Sequence, residues 1–278
     1  MVVPFLDDEA ALAELRSRLA RLELRPGDTV TIADNRPTAT DVAADAGPVI
    51  LAAPERQTSY FARNVGAARG SAPWLLFIDA DVDASADLLD RYFERPVADD
   101  VGVLAGGIAD DSPAPGTAVS RFLADVSAMS QSQTMAGPWA YAQTGNCAVR
   151  RTAFEEAGGF ADHIRSAGDA DLSFRIRDRG WRLERREEAK VVHATVTTLR
   201  RLIAQRSRHG SGCEWMNARY PGSFPRVAYR DLLRQAGRES AAAAKSVLRG
   251  DRESAARWMI SWISSWSFEL GRRRRNPA

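Results

Sequence analysis

The chain has 278 residues, of which 45% are apolar, so it is long enough to bury one large α/β core or two smaller ones. Its formal net charge of +2 averages two opposite regions: residues 1–199 hold 21 basic and 30 acidic side chains, whereas residues 200–278 hold 17 and 6. Two cysteines exclude a disulfide scaffold, and neither a signal peptide nor an apolar run of bilayer length is present, so we expect a cytoplasmic protein.

The first hundred residues alternate strand and helix patterns. Apolar runs bounded by turn residues predict four strands, at residues 2–5, 28–33, 49–52 and 74–78. Leucines spaced three and four apart predict a helix over 12–22, and a second helix is predicted over 63–69. This alternation predicts βαβ units and a mostly parallel sheet, in which ligands bind beyond the carboxyl ends of the strands.

Beyond residue 100 the pattern is mixed. We predict a Pro/Gly-rich turn at residues 112–116 and helices at 117–130 and 171–179. A strand pair is predicted at 181–192 and a helical C-terminal region at 226–278. The second half is therefore not a simple repeat of the first.

The segment Asp79-Ala80-Asp81 follows the predicted strand 74–78 directly. Carboxylates at the end of a rigid strand suit Mg²⁺ or Mn²⁺, which typically bind through one or two carboxylates and the phosphates of a substrate. A D-x-D spacing is common by chance, but clustered carboxylates repel one another and need a cation or solvent to offset them. The placement favours a divalent-metal site.

Asp34 ends an earlier strand at the same predicted edge, and Arg63 and Asn64 begin a helix between the two strands. Taken singly, Asp34 is equally explained as a turn residue and Arg63 as a solvated surface charge. Together with the D-A-D segment they predict a carboxylate, a guanidinium group and a metal around one crevice, which suits a nucleoside diphosphate.

Asp169 and His193 each have two interpretations. Asp169, in Gly-Asp-Ala-Asp-Leu at 168–172, either caps a helix or acts as a general base within reach of a hydroxyl group. His193 ends a strand-like run and is either structural or a metal ligand beside Asp81. Only the geometry of the folded chain separates these alternatives.

A basic segment lies at the start of the positively charged third of the chain. Residues 205–210, Q-R-S-R-H-G, place Arg206 and Arg208 beside Gly210. Guanidinium forks suit phosphate oxygens, and glycine gives a segment freedom to move. We therefore expect a flexible loop that closes over a diphosphate.

A series of motifs along residues 1–215 resembles, in order, those of family 2 glycosyltransferases with the GT-A fold. They are V-P-F near the start, Asp34, A-R-N-x-G at 62–66, D-A-D at 79–81, G-N-C-A-V-R-R at 145–151, G-G-F at 158–160, G-D-A-D-L at 168–172, His193 and Q-R-S-R-H-G at 205–210. Their common order is more specific than any one motif.

The resemblance implies roles for individual residues. It implies Asp169 as general base, Asp81 as metal ligand with His193 as a second ligand, and Arg206 and Arg208 on the diphosphate. It places the donor nucleotide on Pro4, Phe5, Asp34, Arg63, Asn64, Asp79 and Ala80. The chain departs from the family at Gly168, where glutamate is common, and at His209, where the family has an aromatic residue.

The resemblance implies an inverting hexosyltransferase. We expect an α/β fold of GT-A type, with a mixed, mostly parallel sheet flanked by helices over residues 1–225, divided into a nucleotide-binding half (1–100) and an acceptor half (101–225). Residues 226–278 would form a helical extension. The donor would be a nucleoside-diphosphate sugar, first a UDP-sugar, with Mn²⁺ or Mg²⁺ as cofactor. The acceptor would be a hydroxyl group on a saccharide, a lipid-linked molecule or a secondary metabolite.

The acceptor side and the C-terminal tail are less defined. By the same resemblance the acceptor segments contain Trp139, Tyr141, Gly145, Asn146, Phe160, His163, Asp171 and Trp181, although each aromatic residue also suits a protein core. In the tail, tryptophans at 258, 262 and 266 precede four arginines. This pattern predicts a helix within residues 255–278. Three alternatives remain for it: packing on its own domain, a homodimer contact, or a peripheral position on the inner membrane face.

Two rival function classes remain. A sugar-1-phosphate nucleotidyltransferase shares the fold type, but it needs a glycine-rich basic signature near the first strand, which residues 2–6 lack. A non-enzymatic module that binds nucleic acid or another anionic surface would use the basic C-terminal third. The acidic segment at 79–83, and basic residues that are not interleaved with aromatics, argue against a nucleic-acid partner.

Overall fold

A computed structural model describes residues 1–43, 47–111, 116–126 and 129–277. The strands within these residues are β1 Val2–Phe5, β2 Thr31–Asp34, β3 Val49–Ala52, β4 Trp74–Ile78, β5 Val82–Ala84, β6 Val101–Asp111, β7 Asn146–Arg150 and β8 Arg182–Ala194. The helices are α1 Glu9–Leu19, α2 Ser59–Ala67, α3 Leu88–Phe93, α4 Ala118–Asp125, α5 Gln131–Thr134, α6 Arg151–Glu156, α7 Gly168–Asp178, α8 Leu199–Arg219, α9 Tyr229–Leu248 and α10 Arg252–Gly271.

These strands form one mixed sheet in the order β3-β2-β1-β4-β7-β6-β8-β5. Strands β1 to β4 pair in parallel, whereas β7 pairs antiparallel with both β4 and β6, and β5 pairs antiparallel with β8. The predicted α/β fold class is confirmed, with the parallel pairing located in the first four strands. All four arise from the βαβ-like first hundred residues.

The strand order places a crevice beside β1. After β3 the chain crosses to the other side of β1 and forms β4, so the direction of strand addition reverses between β1 and β4. Ligands of open α/β sheets bind at such reversals, outside the carboxyl ends of the strands. Asp34 is the last residue of β2, and Asp79 directly follows β4.

The first two helices begin earlier than their patterns predicted, at capping residues. The Asp8 carboxylate accepts a hydrogen bond of 2.9 Å from the backbone N–H of Ala11, and the Thr58 hydroxyl accepts one of 3.0 Å from Phe61. Such caps satisfy N–H groups that have no partner inside the helix. Helix α1 also ends before the predicted residue 22.

Helix α2 packs closely on β1. A Cβ atom at Gly66 would lie 2.4 Å from Cγ1 of Val2, far inside normal contact distance. The glycine of the A-R-N-x-G segment is therefore required by the approach of this helix to the sheet. The approach helps to place the side chains of α2 at the carboxyl ends of β1 and β4.

The strand pair predicted over residues 181–192 is wrong. Residues Arg182–Ala194 form the single strand β8. The segment contains no Gly, Pro, Asn or Asp that could form a tight turn, so the chain continues extended. The other late elements differ mainly in extent: α7 begins at Gly168, and α4 covers part of 117–130, while residues 112–115 and 127–128 lie outside the described structure.

The described chain divides into two compact units. The first contains residues 1–109 and 129–193, with a core of apolar side chains on the sheet. The second contains residues 110–128 and 194–277, and one of its buried clusters consists of Val119, Phe122, Leu123, Leu202 and Ile260. None of the described helices combines the length and the hydropathy needed to cross a membrane.

Candidate active site

Asp34 lies buried at the end of β2 and is bound by an arginine that the sequence analysis did not select. Both carboxylate oxygens accept hydrogen bonds from Arg36, with Nη2 at 2.6 Å from Oδ2 and Nε at 3.0 Å from each oxygen. The backbone N–H of Arg36 also donates to Asp34, so the turn role of Asp34 is real. This pairing raises the pKa of Arg36, which further binds Glu9 and lies 5.5 Å from the ring centre of Phe5.

Arg63 is buried and forms an ion pair with Asp79. Only 3% of Arg63 is exposed, so the alternative that it is a solvated surface charge is wrong. Nη2 of Arg63 donates to Oδ1 of Asp79, and its guanidinium carbon lies 5.7 Å from the ring centre of Tyr60 and 5.9 Å from that of Phe160. A buried guanidinium held between a carboxylate and two aromatic rings has one orientation, which fixes Asp79 after β4.

Gly145 lies next to the same ion pair. A Cβ atom at this position would be 3.3 Å from Oδ2 of Asp79, so a side chain here would crowd the carboxylate. The residue precedes β7, the antiparallel neighbour of β4. The sequence-predicted residues Arg63, Asp79 and Gly145 are thus brought together.

Asp169 stands in the first turn of α7 with a perturbed pKa. Burial raises the pKa of this carboxylate, the nearby charge of Asp79 also raises it, and the hydrogen bond from the Ala170 N–H and the charge of Arg63 partly oppose the shift. Asp169 is not the cap of the helix, because that position is Ala167. The structure therefore places Asp169 within electrostatic reach of the Arg63–Asp79 pair.

Tyr60 occupies the space beside Gly168. A Cβ atom at Gly168 would lie 2.7 Å from two carbon atoms of the Tyr60 ring. The ring also stacks on Phe160 with 5.6 Å between centres, and burial together with the charge of Asp169 raises the pKa of the Tyr60 hydroxyl. This packing explains why residue 168, where the resembled family often has glutamate, is a glycine here. The residue before it, Ala167, has a left-handed backbone with φ of 71°.

Asp81 and His193 meet at the other end of the D-A-D segment. The pairing of β5 with β8 sets Val82 opposite His193, and Nε2 of His193 lies 3.6 Å from Oδ2 of Asp81. Partial desolvation would raise the pKa of Asp81, but the neighbouring imidazole of His193 outweighs it and lowers that pKa.

The donor set fits a divalent cation. Two ligand atoms at about 2.1 Å from one ion in octahedral geometry lie roughly 3.0 Å apart, so a separation of 3.6 Å needs only a small adjustment. Within the described part of the chain, His, Cys, Asp and Glu form no cluster of three or more arranged to hold a metal. A pair of protein ligands leaves coordination positions that the phosphates of a substrate can occupy.

The remaining residues that were predicted to bind the nucleotide have mainly structural contacts. Pro4 and Phe5 lie buried in β1, and the carbonyl oxygen of Ala80 accepts a hydrogen bond of 2.6 Å from the guanidinium group of Arg18. The Asn64 amide bridges the backbone of Phe160, donating to its carbonyl and accepting from its N–H, both at 2.9 Å. Asn64 thereby ties α2 to the loop that follows α6.

The predicted acceptor residues differ widely in exposure and contacts. Asn146 is fully buried: its amide donates to the carbonyl oxygens of Gly107 and Ala189 and accepts from the Tyr92 hydroxyl at 2.7 Å. Asp171 is buried in an ion pair with Arg175. The others range from exposed (Trp139 and His163) through half-buried (Tyr141 and Trp181) to buried (Phe160).

The segment 205–210 is part of helix α8, so the expectation of a flexible loop is wrong. Gly210 is buried, and a Cβ atom there would lie 2.0 Å from the carbonyl oxygen of Phe268 in α10. Arg206 lies over the Phe268 ring at 4.9 Å, whereas Arg208 is exposed. Burial, with the charges of Arg208 and Arg206, lowers the pKa of His209 to about 3, so this imidazole is neutral at physiological pH.

Three residues that contact the predicted site were not indicated by the sequence: Arg36, Tyr60 and Arg18. The only local signal was for Arg36, two residues after Asp34. Tyr60 and Arg18 act on segments far away along the chain, Gly168 and Ala80, so no spacing pattern could have indicated them.

The chain matches one family model and several known proteins. The family model described as glycosyl transferase family group 2 matches residues 74–268. Glycosyltransferase AglE of Haloferax volcanii is 31% identical over 134 residues, which is 48% of this chain and 43% of that protein. Pre-mycofactocin glycosyltransferase of Mycobacterium tuberculosis is 26% identical over 181 residues, which is 62% of this chain and 37% of that protein. The chain thus spans less than half the length of these curated relatives.

The fold is also found in a solved structure. The mannosyltransferase PcManGT from Pyrobaculum calidifontis, in complex with GDP-Man and Mn²⁺, superposes with a TM-score of 0.64 and 16% identity. The match covers 98% of this chain and 87% of that one. At this identity the likeness concerns the fold.

Proposed function

The chain belongs to glycosyl transferase family group 2, and we propose that it transfers a sugar, with inversion, from a nucleoside-diphosphate sugar to a hydroxyl group. The observation that carries the proposal is the position of Asp169: it follows Gly168, which packs on the Tyr60 ring, and the guanidinium group of the Arg63–Asp79 ion pair lies 5.7 Å from the centre of the same ring. A carboxylate held in this way can accept a proton from an attacking hydroxyl group.

In the proposed reaction the acceptor oxygen attacks the anomeric carbon of the donor sugar. The new carbon–oxygen bond forms as the bond from that carbon to the diphosphate breaks, and the hydroxyl proton passes to a carboxylate oxygen of Asp169. Raising the pKa of this carboxylate makes it a stronger base, since a general base works best with a pKa near the working pH. Direct displacement of this kind inverts the configuration of the carbon.

Asp81 and His193 would hold a divalent cation, Mn²⁺ or Mg²⁺, which when bound neutralises developing charge on the leaving diphosphate. On the donor side, Asp79 and Arg63 hold each other in a fixed geometry, and Asp34 and Arg36 do the same at the end of β2. We propose that these two rigid pairs orient the nucleoside. The diphosphate roles of Arg206 and Arg208 stay predictions, and Arg208 is the more accessible of the two.

The donor base and the acceptor follow from the proposal only as classes. A UDP-sugar is our first candidate, and a GDP-sugar is the second because the solved mannosyltransferase of the same fold was crystallised with GDP-Man. The acceptor is a hydroxyl group on a saccharide, a lipid-linked molecule or a secondary metabolite. A thermal-shift panel of UDP-, GDP- and dTDP-sugars with Mn²⁺ or Mg²⁺ identifies the donor, since a ligand that binds only the folded state raises the melting temperature.

The test of the mechanism replaces Asp169 with Asn. We expect this variant to keep donor binding and to lose about 10²–10⁴-fold of transfer, the usual contribution of a general base. Release of nucleoside diphosphate with a panel of hydroxyl acceptors measures the transfer. Asp178→Asn, at the exposed end of the same helix, is the matched control and should keep full activity. Near-normal transfer by the Asp169 variant would remove the assignment.

A second variant tests the metal. We expect Asp81→Ala to abolish the difference in donor affinity that Mn²⁺ makes, because it removes the carboxylate ligand. Isothermal titration of the donor with and without Mn²⁺ measures this difference. If the variant retained the metal dependence of the wild type, Asp81 would not be a ligand.

A further inference from the structure

The guanidinium group of Arg18 in helix α1 binds the backbone of the D-A-D segment and of the residue after it. Its Nη2 donates to the carbonyl oxygen of Ala80 at 2.6 Å, and its Nη1 donates to the carbonyl oxygen of Val82 at 2.7 Å. Asp81 is the residue between these two carbonyls. The side chain of Arg18 is half-buried, so both hydrogen bonds are partly shielded from water.

The two bonds restrict the segment that carries Asp81. The planar guanidinium fork presents its two amino groups in a fixed relation, so it fixes two carbonyl groups relative to each other. The second of them belongs to Val82, the residue that pairs with His193 at the start of the three-residue strand β5. One arginine thereby holds both the backbone around Asp81 and the strand end that brings His193 to it.

A second arginine, in the turn that follows α1, contacts the same segment in a different manner. Arg21 forms an ion pair of 3.1 Å with Asp83, and both side chains are largely exposed. Exposed pairs of this kind contribute little. Arg21 therefore brings a positive charge to the same segment without holding its backbone, which makes it a charge-matched control.

We propose that Arg18 is a positioning residue for the divalent-cation site: it orders the turn at residues 80–82 so that Asp81 faces His193 at ligand distance. This inference rests on the proposed metal-assisted function. It predicts an effect opposite to that of simple electrostatics, because removing a positive charge near a cation site should by itself strengthen cation binding. Weaker cation binding after loss of Arg18 would therefore mean that the turn at residues 80–82 is no longer held in place.

The experiment measures binding of Mn²⁺ alone, from the electron paramagnetic resonance signal of free Mn²⁺, to the full chain and three variants. We expect Arg18→Met to weaken binding by about 10-fold or more, the scale found when groups that orient metal ligands are removed. Arg18→Lys should lie in between, since a single ammonium group does not reproduce the fork. Arg21→Met should bind Mn²⁺ as tightly as the wild type or more tightly.

The outcomes separate this inference from the proposed function. Unchanged or tighter Mn²⁺ binding by a folded Arg18→Met variant overturns the positioning role and leaves the metal site intact. Should Arg18→Met fail to fold by circular dichroism, Arg18→Lys decides, and wild-type affinity in that variant overturns the inference. If the wild type binds Mn²⁺ only with UDP or GDP present, the variants are compared in that condition. If the wild type binds no Mn²⁺ in either condition, the metal role and the inference are both overturned.

Discussion

Replacing Gly210 with alanine tests whether the Q-R-S-R-H-G segment is a packed helix or a mobile one. Helices α8 and α10 approach so closely that the new Cβ atom would lie 2.0 Å from the carbonyl oxygen of Phe268. The contact is reciprocal, since a Cβ atom at Gly271 of α10 would lie 2.2 Å from the carbonyl oxygen of Ser207 in α8. Both obstacles are backbone atoms, which cannot move without moving a helix.

The size of the effect follows from two opposing terms. A carbon–oxygen contact of about 3.2 Å requires the helices to separate by more than an ångström, and overpacking of this kind costs roughly 1–3 kcal/mol or more. Alanine in place of glycine within a helix returns about 1 kcal/mol. Because the 2.0 Å contact is severe, the upper end of the overpacking range applies, and we expect Gly210→Ala to lower the free energy of unfolding by about 2 kcal/mol.

Gly237→Ala is the matched control. Gly237 also lies inside a helix, α9, and a Cβ atom there would meet nothing within 4 Å, so this change should raise the free energy of unfolding by up to about 1 kcal/mol. Urea unfolding followed by tryptophan fluorescence measures both variants, because four of the seven tryptophans lie in residues 194–277. If Gly210→Ala were as stable as Gly237→Ala, the close packing of α8 on α10 would be refuted.

Two further predictions concern polar side chains of the first compact unit, Asp169 and Asn146. The pKa of Asp169 is raised in the folded chain, so the folded state binds the Asp169 proton more tightly than the unfolded state does. Ionising Asp169 therefore costs folding stability as the pH rises above 3.8, the ordinary pKa of an aspartate. Asp169→Asn should therefore melt at a higher temperature than wild type at pH 7, with a difference that shrinks toward pH 3; a difference independent of pH would contradict this. Asn146→Asp should lower the free energy of unfolding by about 3 kcal/mol or more, because it replaces the amide group that donates to two backbone carbonyls with a carboxylate oxygen that can only accept. Urea denaturation measures the change, and a loss below about 1 kcal/mol would refute the role.

Much of the local structure could be predicted from the sequence. The apolar runs at 2–5, 49–52 and 74–78 coincide with β1, β3 and β4, because a short apolar run between turn residues has few alternatives to a buried strand. The strand pair predicted at 181–192 is one long strand, because the segment contains no residue that favours a tight turn. The first two helices begin before their predicted first residues, because the capping residues and the first helical turn precede the apolar pattern.

The candidate site could be predicted in part. Asp79 with Arg63, and Asp81 with His193, lie together as the strand-end argument implied. The acceptor side could not be predicted, because residue type alone does not separate an amide that binds a substrate from one such as Asn146, whose hydrogen bonds are all spent inside the sheet.

The sequence by itself determined which residues end the parallel strands, and with them the carboxylates and arginine of the site, because strand period and turn chemistry are local properties. The tertiary structure alone decided what holds those residues: the Arg18 grip on Ala80 and Val82, the Tyr60 ring beside Gly168, and the approach of α8 to α10 at Gly210. Each of these joins residues more than fifty positions apart. Such contacts depend on how elements pack, which no local pattern of residues records.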